Sequence, residues 1–182
     1  MPYFSLKSSN IPDGFVSYQH FSGGKGFFGR TTGELVKISD ASSAVEREHA
    51  TLEVPGESIS HSAQVRIGSP SLPLHVFRVL RDEHLRLKMF EYNPPLAPPS
   101  GLGSVPETQA RKELREDVTF VVVPGHADPS GLSFKSLSFP ELFIRHRNFH
   151  LWVEVVNDDL SRHDATFFVQ PALAPPAPVS VK

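Results

Sequence analysis

The run "FIRHRNFH", Phe143 to His150, sets Arg145, His146, Arg147, Asn148 and Phe149 among aliphatic residues. A second short run, "HDATF", places Asp164 eighteen residues after His146. These side-chain types suit recognition of hydroxyl groups. A carboxylate accepts from two adjacent hydroxyls with charge-assisted strength. An imidazole donates to or accepts from a third oxygen, and amide and guanidinium groups add donors. A Phe ring covers a C–H face or walls a pocket. His146 and Asp164 meet only if the chain between them folds back. "VEVVNDDLSR" is expected to supply that turn through Asn157, Asp158 and Asp159.

Other chemistry can be drawn on the same residues. His146, His150 and His163 suggest a metal site, but the four-residue step from His146 to His150 suits a helix, and this run alternates like a strand. Asp158, Asp159 and Asp164 could form a glycosidase pair, but adjacent acids in a turn are usually solvated. Asp164 could instead accept a backbone N–H in a turn. His146 could be a satisfied strand-end histidine, and Phe149 and Trp152 could be core. No nucleophile elbow, P-loop or dinucleotide fingerprint is present. The reading is therefore of no catalytic residues, no metal and no cofactor.

Bulk properties narrow the partners. With 18 basic and 20 acidic residues the formal charge is -2, which disfavours nucleic acid and anionic membranes. No apolar run approaches the 18 or so residues of a membrane span. There is no cysteine, so thiol chemistry and disulfides are excluded. The start, "MPYFSLKSSNIPDGF", lacks the basic and apolar blocks of a signal peptide. Composition leaves the compartment open.

The elements that must hold these residues read as strands. Seventeen prolines and twelve glycines punctuate the chain, and "AQVRIG", "LSFKSLSF" and "HLWVEVV" alternate with a period of two. "VPETQARKELRED", Val105 to Asp117, has helix-forming residues without an apolar face and is read as a loop with at most a turn or two of helix. The chain also repeats. A Ser/Asn–apolar–Pro step recurs at Pro12, Pro73 and Pro140, and a Thr–apolar segment ends at Pro55, Pro124 and Pro171. Arg47, Arg115 and Arg162 precede the Thr each time and are expected to make structural salt links. Three strand-rich copies, each exposing an apolar face alone, predict an all-β fold, a β-trefoil of three divergent repeats. The repeats fall at about 4–60, 61–128 and 131–174 of a single domain spanning 1–174. A Pro-rich insertion covers 93–114, and a disordered tail covers 175–182.

In the third copy, "SLSFPELFIRHRNFHLWVE" followed by "RHDATFFVQPAL" resembles the arabinose-binding domain of alpha-L-arabinofuranosidase B, carbohydrate-binding module family 42. The resemblance implies a β-trefoil with one arabinofuranose pocket per copy, and any hydrolase activity in a separate catalytic domain. It carries His146, Asn148 and Phe149 onto the family's Arg-His-x-Asn-Phe step and Asp164 onto its Asp-Ala-Thr-Phe step. Arg147 stands where the family often has an aromatic residue, and its guanidinium can supply part of the stacking. The second copy keeps Asp117, a degenerate second site, but has Val79 at the His position. The first has Tyr18 and His49 at the His and Asp positions. The expected function is non-catalytic binding of terminal arabinofuranosyl or similar neutral sugars, mainly through the third repeat. The alternative is a trefoil interaction domain with a protein partner. A monomer is expected, because a closed barrel leaves few strand edges to pair.

Overall fold

The computed structural model describes residues 3–21, 30–54, 59–93 and 107–174. Most of the Pro-rich insertion, Pro55 and the tail at 175–182 lie outside the described residues.

The period-two alternation does form strands. In the first third these are β1 (Tyr3–Ser8), β2 (Gly14–Phe21), β3 (Arg30–Lys37) and β4 (Leu52–Glu53). Then come β5 (Gln64–Val65), β6 (Gly68–Ser69), β7 (Leu72–Leu80), β8 (Arg86–Glu91) and β9 (Phe120–Pro124). The last third holds β10 (Leu132–Ser136), β11 (Phe143–Arg147), β12 (His150–Glu154) and β13 (Phe167–Pro171). The pleat sends successive side chains to opposite faces. β11 therefore buries Ile144 and His146 and leaves Arg145 and Arg147 on its other face.

All pairings are antiparallel, and the sheet closes. The path β11-β12-β3-β8-β7-β6-β4-β1-β13-β10 returns to its start because β10 also pairs with β11. Ten strands thus form a closed barrel in an all-β molecule. β2 bridges β1 and β3, while β9 and β5 extend from β10. Three hairpins, β2–β3, β7–β8 and β11–β12, meet where β3, β8 and β12 pair with one another. Gly33 lies at that junction, where a Cβ would stand 3.0 Å from the Phe77 ring and 3.2 Å from Leu151. Inside, Leu6, Leu52, Ile67, Phe77, Phe120, Phe134, Leu151 and Phe167 form one core. This removal of apolar surface from water is the main force holding the strands closed.

Three helices correct the sequence reading: α1 (Ala44–His49), α2 (Gln109–Asp117) and α3 (Asp159–Asp164). α2 occupies most of the stretch read as loop. It has no wide apolar face because it packs lightly on β7, through Leu114. α3 replaces the expected turn. Asp158 caps it, accepting from the Ser161 N–H at 2.6 Å, while Ser161 Oγ accepts from the Asp158 N–H at 3.0 Å. Each helix ends alike. Thr51, Thr119 and Thr166 donate their hydroxyls to the carbonyls of Arg47, Arg115 and Arg162 at 2.9, 2.6 and 2.8 Å. The recurring arginines are thus linked through their backbones. Arg115 also pairs with Glu107 at 3.0 Å, while the Arg47 guanidinium bonds the Ser39 carbonyl instead of a carboxylate.

Candidate functional site

His146 and Asp164 are brought together, by a route other than the expected turn. His146 ends the inward face of β11, and Asp164 is the last residue of α3. His146 Nε2 lies 3.5 Å from Asp164 Oδ1. The third wall comes from the far end of the chain. Ser8 and Asn10, at the end of β1 and in the turn after it, approach the same nitrogen at 3.0 and 2.9 Å. Asn10 Nδ2 donates to Asp164 Oδ1 at 2.8 Å, and Arg145 Nη2 donates to Asp164 Oδ2 at 2.9 Å. The turn is held in place by Ser9, whose N–H donates to the Thr166 carbonyl at 3.0 Å and whose hydroxyl lies 3.0 Å from His163 Nδ1.

Around these groups lies a cavity of about 300 Å³, lined by Asn10, Ile11, Arg145 to Phe149, Leu160 and Asp164. Its floor is polar, and its rim sets Ile11, Phe149 and Leu160 beside Arg147 and Asn148. Asp164 and His146 are buried, whereas Phe149 is 49% and Leu160 65% exposed. Asn148 and Phe149 form the two-residue turn of the β11–β12 hairpin, with φ of 52° and 61°. Such a turn matches the twist of its strands and requires positive φ at both positions. Asn tolerates this conformation; Phe does so at a cost of roughly 1–2 kcal/mol. The Phe149 carbonyl accepts from the Leu35 N–H at 2.8 Å, which fixes the turn against β3.

Burial favours the neutral form of the His146 imidazole. Arg145 compensates the buried Asp164 charge, as a buried ion requires. Burial holds the His146 imidazole below its ordinary value; Asp164 opposes that shift and Arg145 adds to it. A carboxylate offers about four acceptor positions. Asn10 and Arg145 fill two, so Asp164 keeps capacity for hydroxyl donors. Arg147 lines the cavity, but its guanidinium donates to Glu154 at 2.7 Å and lies 5.0 Å from the Trp152 ring centre.

The metal alternative scatters on inspection: His146 faces Asp164, His163 faces Ser9, and His150 hydrogen-bonds Glu34. Among the described residues no cluster of three metal-ligating side chains occurs.

Corresponding positions in the other two hairpins are occupied differently. Register aligns Tyr18, Val79 and His146, which face Gly33, Leu87 and Leu151. The last helical residues are His49, Asp117 and Asp164. Tyr18 stacks on His49 with ring centres 4.4 Å apart, and its hydroxyl meets Ser71 at 2.6 Å. Asp117 is buried and held in a bidentate pair by Arg81, at 2.8 to 3.1 Å. The degenerate second position is therefore filled by the protein itself.

Sequence reasoning missed Ser8, Asn10, Ile11 and Leu160 as site residues. The Ser/Asn–apolar–Pro step does contain Asn10 and Ile11, with Ser8 two residues before it, and its recurrence was visible. Its role was hidden because the step closes the pocket of the preceding copy, not of its own.

Residues 102–182 match the family model of the alpha-L-arabinofuranosidase B (ABFB) domain. The resemblance carried by the third copy holds over that stretch. No curated protein matches the chain. Among solved structures, it is similar to a mutant GH54 a-l-arabinofuranosidase soaked with 4-nitrophenyl a-l-arabinofuranoside. The TM-score is 0.66 at 20% identity, over 95% of this chain and 31% of that one. An arabinofuranosidase complexed with arabinofuranosyl-alpha-1,2-xylobiose gives 0.64 at 20% identity, over 96% and 32%. The BEL beta-trefoil gives 0.53 at 9% identity, over 93% and 92%. At these identities the likeness is one of fold. The chain spans about a third of the length of the two arabinofuranosidase structures.

Proposed function

We propose that this ABFB-type chain is a non-catalytic carbohydrate-binding domain whose third-copy pocket holds a terminal arabinofuranosyl or similar neutral sugar. The observation that carries the reading is the buried Asp164, flanked by His146 and Asn10, at the floor of a cavity whose rim carries Ile11, Phe149 and Leu160. Hydroxyls meet the floor, and the C–H faces of the ring meet Ile11, Phe149 and Leu160. Arg147 and Asn148 border the entrance. Among the described residues Asp164 is the one carboxylate lining the cavity, and Asp158 caps α3.

The fold underneath is a single β-trefoil domain over 1–174, with repeats at about 4–60, 61–128 and 131–174. Three hairpins whose second strands pair mutually support it, as do three helix ends with the same Thr–Arg bond. The domain is monomeric, since the closed ring spends its strand edges internally. The second reading, a protein-interaction domain, draws on the Tyr18–His49 stack and the Arg81–Asp117 pair, which fill two of three equivalent positions.

A single-sugar site replaces water hydrogen bonds nearly one for one. Its dissociation constant should be about 0.1–1 mM, or about 4 to 5.5 kcal/mol. Titrating methyl α-L-arabinofuranoside while following amide and imidazole resonances tests this. Saturable shifts at His146 and Phe149 that vanish in Asp164→Asn are expected. A folded protein with no shifts at tens of millimolar sugar moves the assignment to the interaction domain.

A further inference from the structure

The second hairpin reproduces most of the third-copy site. Arg78 and Val79 stand on β7 where Arg145 and His146 stand on β11, by the register of the two hairpins. Asp117 ends α2 as Asp164 ends α3, and both carboxylates are buried. The neighbouring copy again contributes a turn. Ser136 Oγ meets Ser138 Oγ at 3.2 Å, as Ser8 Oγ meets Asn10 Oδ1 at 2.9 Å. Phe139 follows where Ile11 follows in the first turn.

Two residues break the likeness: Val79 replaces the imidazole of His146, and a cation enters the site. Two positions beyond Val79, where Asn148 stands in the third copy, the chain has Arg81. Its Nε reaches both carboxylate oxygens of Asp117, at 3.0 and 3.1 Å, and Nη2 reaches Oδ1 at 2.8 Å. The guanidinium lies 5.1 Å from the centre of the Phe139 ring. It therefore takes both contacts a sugar would make: donation to the carboxylate and apposition to the apolar wall. A planar guanidinium is well matched to both.

We propose that the second copy carries a site of the same construction, and that Arg81 occupies it as a built-in competitor. The third pocket is then the open one, and the chain engages one glycan branch at a time. This rests on the reading of the third pocket as a hydroxyl-binding site. Arg81 stays charged at ordinary pH and holds Asp117 through three contacts of 2.8 to 3.1 Å. An intramolecular group also competes at a high effective concentration, so millimolar sugar does not displace it.

The test uses the full chain and methyl α-L-arabinofuranoside, followed by amide resonances. Asp164→Asn silences the third pocket. Adding Val79→His and Arg81→Asn to that background supplies the missing imidazole and removes the competitor, while Arg78, 3.8 Å from Asp117, still faces the carboxylate. Binding should reappear within about tenfold of the wild-type dissociation constant. Its shifts should be centred on Thr119 and Leu137 and be lost on Asp117→Asn. Val79 is fully buried, so Arg81→Asn with Asp164→Asn is measured alongside and should show weaker shifts at the same amides.

Wild-type protein that binds beside folded Arg81 variants that stay silent overturns the occupancy alone. So does a wild-type protein with two sites, one abolished by Asp117→Asn. Silent wild type with binding Arg81 variants upholds the occupancy and overturns the third-pocket reading. Silence in all of them overturns both.

Discussion

Asp164 serves the proposed ligand and the protein at once, and the two roles separate by substitution. Truncation to Ala leaves Arg145 buried with a lost partner, and breaking a buried pair this way costs about 3–5 kcal/mol. Asp164→Ala should therefore lower the denaturant midpoint strongly, whereas Asp164→Asn keeps the shape and should lose less. Urea titrations of the two variants check the order. His146 gives a pH signature. Its folded value is depressed, chiefly by burial, so the unfolded chain takes up a proton that the folded chain resists. Its contribution is whole above the unfolded value of about 6.5 and is lost as pH falls through the folded value. Unfolding free energy should decline from pH 7 downward. His146→Gln should flatten that decline without abolishing it, because burial, with Arg162 adding, depresses His126 in the same direction. An unchanged slope in the variant would remove His146 from the explanation.

At the scale of elements, the β11–β12 turn holds two opposed demands. Phe149 supplies a ring at the cavity rim from a backbone conformation that favours glycine. Phe149→Gly should relieve about 1 kcal/mol of backbone strain, less the flexibility gained by the unfolded chain. The same change should weaken sugar binding several-fold, by removing apolar surface at the rim. Stability and affinity measured on one variant should thus move in opposite directions. This turn also marks how far sequence could be read. Alternation read "HLWVEVV" as a strand, and β12 forms there with Leu151 and Val153 buried. The all-β class followed from the same signal. The helices did not, because α1 and α3 are only six residues long and owe their existence to caps. "SDASSAVE" and "NDDLS" contain those caps, but a Ser or an Asp before a short segment reads equally well as a turn. Asn10 was illegible as a pocket wall because its partners, His146 and Asp164, are supplied by a different copy.

At the scale of the molecule, the three hairpins converge on an ionic cluster around the buried Glu34. Glu34 of β3 accepts from Arg86 of β8 at 2.9 Å and from Thr32 at 2.7 Å, and it hydrogen-bonds His150 of β12. Arg86 also packs over Trp152, 5.3 Å from its ring centre. Every hairpin contributes to it, Glu34 and Thr32 from the first, Arg86 from the second and His150 from the third, so the cluster locks their mutual register. Arg86→Met keeps much of the packing volume but leaves Glu34 without its cation. A loss of about 3–5 kcal/mol is expected, against about 0–1 for Arg115→Met, whose Glu107 pair is exposed. Thermal unfolding of both variants tests the contrast. Equal losses would show that the cluster is no more structural than a surface pair.

The bond between Asn10 and Asp164 spans 154 residues of sequence. A chain under synthesis makes the first of these on the order of ten seconds before the second, at ordinary elongation rates. Over that interval Asn10 and Ser8 have no His146 or Asp164 to meet. A nascent or proteolytically shortened chain that lacks α3 therefore presents no floor to a ligand. Capture on an immobilised glycan would select molecules whose two ends have already docked, and would so report completed folding as well as affinity.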